Sequence, residues 1–308
     1  MKEYNYIFGP IPSRRMGNSL GISSIEKRSC TYSCVYCQLG RTKNLMKEPK
    51  KFFKTEDILE EFKEYLKEDV DIDVVTVVGE GEPTLSDDLE ELILGLKAIT
   101  DKPVAVITNG SMLVYEKVRK ALKAADIVLP SLDAGDEETF RKINRPNAKI
   151  DFNKITEALV QFSKEYNGEL WMETMIVKGF NDKTEELYAI RKILDRIDYD
   201  RLYINTPVRP PAESYVEEPS KEKLDEVIRI LRGTSIQMLS SGTFFSEITD
   251  DFEAIKSIIS RHPMNKFEVE SFLNSRKCRD KEEVLRKLKN HADIDVVSYK
   301  NYTTYRLK

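Results

Sequence analysis

The sequence predicts an α/β protein: a parallel sheet built from repeated strand–helix units, followed by a smaller α+β unit. Three observations predict it. Runs such as Val74-Val75-Thr76-Val77-Val78 are apolar or β-branched at every position, as strands covered on both faces are. Between such runs lie stretches with apolar residues three and four apart, the period of an amphipathic helix. Near residue 248 this alternation stops, and short helical patterns crowd together ahead of two strand patterns.

The elements follow in order. Leu20, Ile22 and Ile25 place a first strand over 20–25. Ile58, Leu59, Phe62, Tyr65 and Leu66 predict a helix over 55–68, with Thr55 as its N-cap. Strands are expected over 74–78, 104–108, 127–129, 170–177, 202–205 and, briefly, 236–239. Helices are expected over 87–99, 115–124, 136–143, 152–166, 183–195 and 221–231. Repeated βα units imply a parallel sheet with right-handed crossovers. Six units are too few to close an eight-stranded barrel. The domain boundary falls between 1–247 and 248–308. In the second part, helices near 252–259, 267–273 and 284–288 precede strands over 294–299 and 303–307. Three helices and a hairpin look like a winged helix.

Composition narrows the function. The 308 residues carry a formal net charge of −4, so global charge does not announce a nucleic-acid binder. No apolar run approaches the length of a membrane span, and no signal peptide is recognisable. Three of the four cysteines are clustered, which fits a reducing cytoplasm rather than a disulfide framework.

Those three, Cys30, Cys34 and Cys37, lie in Arg28-Ser-Cys-Thr-Tyr-Ser-Cys-Val-Tyr-Cys-Gln38. Three thiolates this close can hold one metal centre while leaving a fourth position unfilled. Structural zinc takes four protein ligands, so a zinc site would need Cys278 or one of His262 and His291, all far along the chain. Cys278 reads as an ordinary free thiol, and the histidines as helix-end or surface residues. A three-cysteine iron–sulfur cubane leaves one iron open to a small molecule.

The spacing CxxxCxxC, with Tyr36 just before the last cysteine, resembles the signature of the radical S-adenosylmethionine (SAM) superfamily. The stretch Gly9-Pro-Ile-Pro-Ser-Arg-Arg-Met-Gly-Asn-Ser-Leu-Gly21 is similar to the GPxPSRRxGxSLG of one branch of it. The resemblance implies a partial (β/α)6 barrel with its site at the strand C-termini. It also implies a 4Fe-4S cluster on Cys30, Cys34 and Cys37, and SAM on the open iron. Reductive cleavage of SAM would give a 5′-deoxyadenosyl radical that abstracts hydrogen from substrate. The alternative is a non-catalytic iron–sulfur or zinc regulator that reads nucleic acid.

The superfamily's other motifs map residue by residue. Gly79-Glu-Gly-Glu-Pro-Thr-Leu85 resembles the Gly-Gly-Glu-Pro motif that meets the SAM amino group. Gly81, Glu82 and Pro83 match it, and Glu80 replaces the first glycine. Thr108, Asn109 and Ser131, at the ends of the third and fourth strands, would approach the methionine part and ribose, and Tyr36 the adenine. Asn109 and Asp133 also suit turn caps, and Asp133 is read as one. The fifth strand departs from many relatives. It offers Glu173 where they carry a basic residue for the SAM carboxylate, leaving Lys178 or Arg209 to compensate. Arg14 and Arg15 read either as a solvated turn or as a clamp for an anionic substrate group, and Arg145 is a further candidate.

Between 251 and 308 there are about 13 basic and 9 acidic residues, and Arg286, Lys287 and Lys289 mark the third helix as a candidate recognition helix. RNA is therefore the first substrate class and protein the second, with a ferredoxin or flavodoxin as electron donor. Proteins that look like this are often linked with wyosine-type tRNA modification. The enzymes that build its tricyclic base carry a second cluster on further cysteines, which this chain lacks. The cluster and every expected SAM contact precede residue 248, so a chain ending there is expected to keep SAM cleavage.

Overall fold

The computed structural model describes residues 4–68, 70–238, 244, 246, 248–299 and 302–308. Two strands open the chain, β1 (Ile7–Ser13) and β2 (Gly17–Ile22), paired as an antiparallel hairpin. The cysteine segment follows, entered and left by a two-residue pair, β3 (Ser29–Cys30) and β4 (Asn44–Leu45). Then α1 (Thr55–Tyr65) leads to β5 (Val74–Val77), α2 (Leu89–Ile99) to β6 (Val104–Thr108), and α3 (Glu116–Leu122) to β7 (Ile127–Pro130). Next, α4 (Glu137–Ile143) and α5 (Phe152–Glu165) precede β8 (Glu169–Met175). Finally α6 (Thr184–Leu194) precedes β9 (Arg201–Asn205), and α7 (Lys221–Leu231) the two-residue β10 (Thr234–Ser235). The sheet order is β1-β2-β5-β6-β7-β8-β9-β10, parallel throughout except at the β1/β2 edge. This is the expected partial barrel.

The two-residue period of the strands separates two cores. Val75, Val77, Val104, Val106, Val128, Leu170, Met172, Leu202 and Ile204 pack outward against the helices. The intervening Val74, Ala105, Ile127, Leu129, Trp171 and Tyr203 meet Met16 and Ile236 on the concave side. Each helix contributes the face its periodicity marks; α1 buries Ile58, Phe62 and Tyr65. Its N-cap is Lys54 rather than Thr55, which is the first helical residue and buried.

Most helix and strand ends shift by a few residues from expectation, and the two ends of the sheet differ more. The first parallel strand starts at Gly17 and ends at Ile22, and β1 beside it was hidden by Pro10 and Pro12. Prolines withhold ladder donors and are tolerated on an edge strand, which β1 is. The expected strand over 236–239 is a 3₁₀ turn over Ile236–Met238 preceded by β10, and Leu239 lies outside the described residues.

The remainder forms a winged-helix arrangement: α8 (Asp251–Ile259), β11 (Met264–Asn265), α9 (Lys266–Ser275), α10 (Lys281–Asn290), β12 (Ile294–Tyr299) and β13 (Tyr302–Leu307). The sheet order is β11-β13-β12. The short β11 pairs with β13, and two residues are too few to leave an alternation in the sequence. Side chains of Asp250, Asn265 and Asp280 cap the three helices. Phe252, Ile255, Ile259, Val269, Phe272, Leu288 and Tyr305 form a separate core, against which Ile11 of β1 also packs.

Candidate active site at the mouth of the barrel

The cysteine segment is clasped on two sides at the C-terminal ends of the strands. On one side the loop after β5 holds it: the Arg28 amide donates to the Glu80 carbonyl, and the Glu82 amide to the Ser29 carbonyl at 3.0 Å. The approach is so close that a Cβ on Gly81 would lie 1.9 Å from the Ser29 carbonyl oxygen, so only glycine fits. On the other side, Ser33 donates to the Asn144 carbonyl at 3.0 Å and Val35 to that of Ile143 at 2.9 Å. Glu213 covers this side. Its carboxylate accepts from Arg41 Nε and Nη2, each at 2.8 Å, and pairs with Arg145, and its amide donates to the Val35 carbonyl. The hydrogen bonds and charges of these arginines, Arg41 first, bring Glu213 down to about 2.

Inside the clasp, two asparagine amides point at sulfur. Asn109 Nδ2 lies 3.6 Å from Cys30 Sγ and 2.8 Å from Thr31 Oγ1; Asn144 Nδ2 lies 3.5 Å from Cys34 Sγ. Burial pushes Cys30 up to about 12, with the Glu82 carboxylate adding to the shift. Burial also raises Cys34, reinforced by Cys30 and Asp133, and raises Cys37, where Arg28 opposes it. Thiols held this way are protonated until a metal takes them, so metal binding releases protons.

The donor set is three cysteine thiols on one segment. The three thiols are within electrostatic reach of one another. Yet among the described residues no three His, Cys, Asp or Glu side chains converge as a single-ion site requires. Cys278 packs with the winged-helix core. His262 is half-buried against Arg209, and His291 sits at the C-cap of α10. The zinc reading therefore lacks its fourth ligand.

A family model for the radical SAM superfamily matches residues 27–190, which contain the cysteine segment, the loop after β5 and the strand ends up to β8. The chain belongs to the radical SAM superfamily. It is 35% identical over 308 residues to a UPF0026 protein of Methanocaldococcus jannaschii, covering 97% of this chain and 94% of that one. It is 42% identical over 220 residues to a protein named GTPase Obg of Brachyspira hyodysenteriae. That match covers 71% of this chain but spans only 32% of the relative. Among solved structures, TYW1 with a lysine-pyruvate adduct bound has the same fold at a TM-score of 0.55 and 19% identity, covering 70% of this chain and 74% of that one. The radical SAM family implies an iron–sulfur cluster and SAM. Among the described residues no helix is long and apolar enough to cross a membrane.

The radical SAM strand ends are arranged around two buried carboxylates. Glu82 accepts from Thr84 N at 3.1 Å, Thr84 Oγ1 at 2.5 Å, Thr108 Oγ1 at 2.6 Å and Asn109 N at 2.7 Å. Burial raises its pKa against these bonds. It therefore welds the β5 loop to the end of β6, with three bonds on Oε1 and one on Oε2. Asp133 is no turn cap: it accepts from Tyr36 Oη, from Asn144 Nδ2 at 2.7 Å and from the Met175 amide at 2.9 Å. Asn109 is the cap instead, its Oδ1 accepting from Ser111 N at 2.9 Å. Ser131 stands opposite Glu173 in a parallel bridge between β7 and β8, and its amide donates to Thr108 O at 3.1 Å.

The expected cations are dispersed. Arg14 and Arg15 do not form a clamp, because adjacent turn residues diverge. Arg14 is exposed, while Arg15 turns into the concave face and pairs with Glu173, which also accepts from Asn205 Nδ2 at 3.1 Å. Arg209 is engaged away from the strand mouth. Its fork meets Glu268 of α9, and Nη2 lies 2.8 Å from His262 Nε2, so its charge is already matched. Lys178 pairs with Glu217, and Arg145 with Glu213 and Tyr215. Asn144, Glu213 and Arg28 escaped the sequence reading. Asn144 and Glu213 act from other loops with no local pattern. Arg28 was visible beside Cys30 but had no assigned partner.

Proposed function

We propose that Cys30, Cys34 and Cys37 hold a 4Fe-4S cluster whose open iron takes SAM, and that the enzyme abstracts hydrogen from a macromolecule, with RNA as the first class. The observation that carries this is the clasp: a three-thiol segment closed against the Gly81-Glu82-Pro83 loop and the Asn109 strand end. When bound, the cluster supplies one electron that splits SAM into methionine and a 5′-deoxyadenosyl radical. The chain's own residues do the rest. Asn109 and Asn144 direct amide dipoles at Cys30 and Cys34, which favours the reduced, more negative state. Glu82 keeps the loop after β5 and the β6 end in register, leaving capacity on Oε2 for an ammonium group. Asp133 and Asn144 fix the Tyr36 ring by its hydroxyl beside the adenine position. Val35 and Tyr32, within the segment itself, are buried and exclude water from its inner side.

RNA is favoured by the winged-helix arrangement and its local positive charge. Cytoplasmic residence and a ferredoxin- or flavodoxin-type donor go with this reading. The shortage of cysteines argues against the tricyclic wyosine reaction. The test is anaerobic incubation of reconstituted protein with SAM, reductant and total RNA or total protein from the source. The expected result is 5′-deoxyadenosine with a mass change in RNA. Iron-replete protein that makes no 5′-deoxyadenosine with either pool would overturn the enzymatic reading. A mass change confined to protein would move the substrate class.

A further inference from the structure

One substitution sets this chain's β5 loop apart from the Gly-Gly-Glu-Pro pattern: Glu80 stands where the first glycine would. Its carboxylate is only 13% exposed and meets two cations. Lys27, on the approach to the cysteines, places Nζ 3.2 Å from Glu80 Oε1 and donates to the Ser260 carbonyl, also at 3.2 Å. Arg261, just past the end of α8, faces Glu80 Oε2 with Nε at 3.8 Å. The Arg261 guanidinium lies 4.9 Å above the Phe8 ring, and Nη2 donates to the Asn5 carbonyl at 3.1 Å. Nε is buried and makes no hydrogen bond among the described residues, and Glu80, ahead of Glu61, supplies the larger share of the negative charge that balances the guanidinium.

We infer that Arg261 is a positioning residue for the SAM-binding loop, acting through Glu80, so that the winged helix is part of the SAM site. This rests on SAM binding at that loop. The chain of contacts is short. Arg261 and Lys27 hold the Glu80 side chain; the Glu80 carbonyl accepts the Arg28 amide; Gly81 lies against Ser29; and Glu82 N donates to Ser29 O. Release of the Glu80 carboxylate frees a loop that touches both the cysteine segment and the β6 end. A chain ending near Ile248, expected from sequence to keep SAM cleavage, lacks Arg261 and the Ser260 carbonyl, so its SAM affinity should fall instead. The arrangement also gives a substrate held by the winged helix a direct mechanical route to the SAM loop.

The experiment compares Arg261→Ala, Arg261→Lys and Glu80→Gln with wild type as full-length, reconstituted protein. Three readouts are taken: iron content, SAM affinity by calorimetry, and amide exchange of residues 28–29 and 80–82 in the metal-free chain. Arg261→Ala and Glu80→Gln are each expected to weaken SAM about tenfold, within the usual range of site-to-site coupling, with iron content kept. Amide exchange at Arg28 and Glu82 should accelerate in both. Arg261→Lys, which keeps the charge, should recover most of the affinity. The double variant should be no worse than Glu80→Gln alone, because Arg261 acts on the loop only through the Glu80 carboxylate. SAM affinity within twofold of wild type in Glu80→Gln, which leaves the winged helix untouched, overturns the inference even if Arg261→Ala misfolds. A wild type that holds iron but binds no SAM overturns the reading of the site, and this inference with it.

Discussion

The mouth of the barrel and the outer face of α10 both gather charged and polar side chains, but they are built on different principles. At the mouth, partners come from far along the chain. Glu82 meets Thr108 and Asn109, Asp133 meets Tyr36 and Met175, and Arg41 meets Glu213. The three carboxylates Glu82, Asp133 and Glu213 are buried, so each is left stranded if its partners are removed. On α10 the visible pair is local and exposed: Arg286 with Glu283, one turn back on the same helix. Lys287 and Lys289 make no ion pair among the described residues. The first region has one arrangement and holds it; the second offers charge without fixing geometry. That is the division expected between a site that positions a reacting centre and a face that meets an extended polyanion.

The largest effect is expected at the cysteines. Alanine at Cys30, Cys34 or Cys37 should abolish cluster iron, whereas Cys278→Ala should leave it unchanged. Full iron in Cys34→Ala would remove the mouth's central element and collapse the contrast.

Glu82→Ala comes next and sharpens the comparison. A carboxylate serving SAM alone would leave the unloaded chain as stable as wild type. Glu82 instead satisfies four donors, and stranding buried donors costs about 1–3 kcal/mol each where water cannot replace the bond. We expect a loss of about 3 kcal/mol in chemical denaturation of the metal-free protein. SAM affinity should fall roughly ten- to a hundredfold, the worth of a lost charge-assisted bond. Unaltered metal-free stability would mean that Glu82 does not weld the two loops.

The interdomain bridge gives a smaller, pH-dependent effect. His262 is half-buried, and desolvation of its ring and the neighbouring Arg209 hold its pKa well below the ordinary 6.5. The folded state therefore favours the neutral ring. This contribution is fully present above about pH 6.5 and is lost as pH falls from there toward the depressed folded value. The unfolding midpoint should drop between about pH 6.5 and 5, and less steeply in His262→Gln. Parallel curves for the two proteins would exclude His262 as the titrating group.

The smallest stability effect belongs to α10. Arg286, Lys287 and Lys289 changed together to Ala should shift stability by less than about 0.5 kcal/mol per site. If RNA is bound there, its affinity should fall steeply with salt in the wild type, and the slope should flatten in the triple variant. RNA affinity negligible at low salt would direct the search to a protein substrate.

How much of this was legible in the sequence depended on whether the signal was local. The β5 run, the helical spacing of Ile58, Phe62 and Tyr65, and the cysteine spacing each lie within a few residues, and all were readable. Asn144 and Glu213 reach the cysteine segment from elsewhere, and nothing near them marks that destination. Arg209 looked available because Glu268 and His262 lie more than fifty residues away. Asp133 looked like a cap because its real partners, Tyr36, Asn144 and Met175, come from three different segments. In the sequence Glu80 is a bare deviation from the Gly-Gly-Glu-Pro pattern, and its distant partner Arg261 has no local signal that marks it.

The edge strand β1 has a consequence for the behaviour of shortened proteins. An uncovered sheet edge is a template for strand addition from another molecule. Here Pro10 and Pro12 withhold two donors, and the winged-helix core seats Ile11 on the same strand. Deleting that unit would uncover an apolar side chain beside ladder groups that the two prolines interrupt but do not remove. Self-association, rising with protein concentration, is therefore the expected fate of a barrel expressed alone. Ile11→Lys should relieve it.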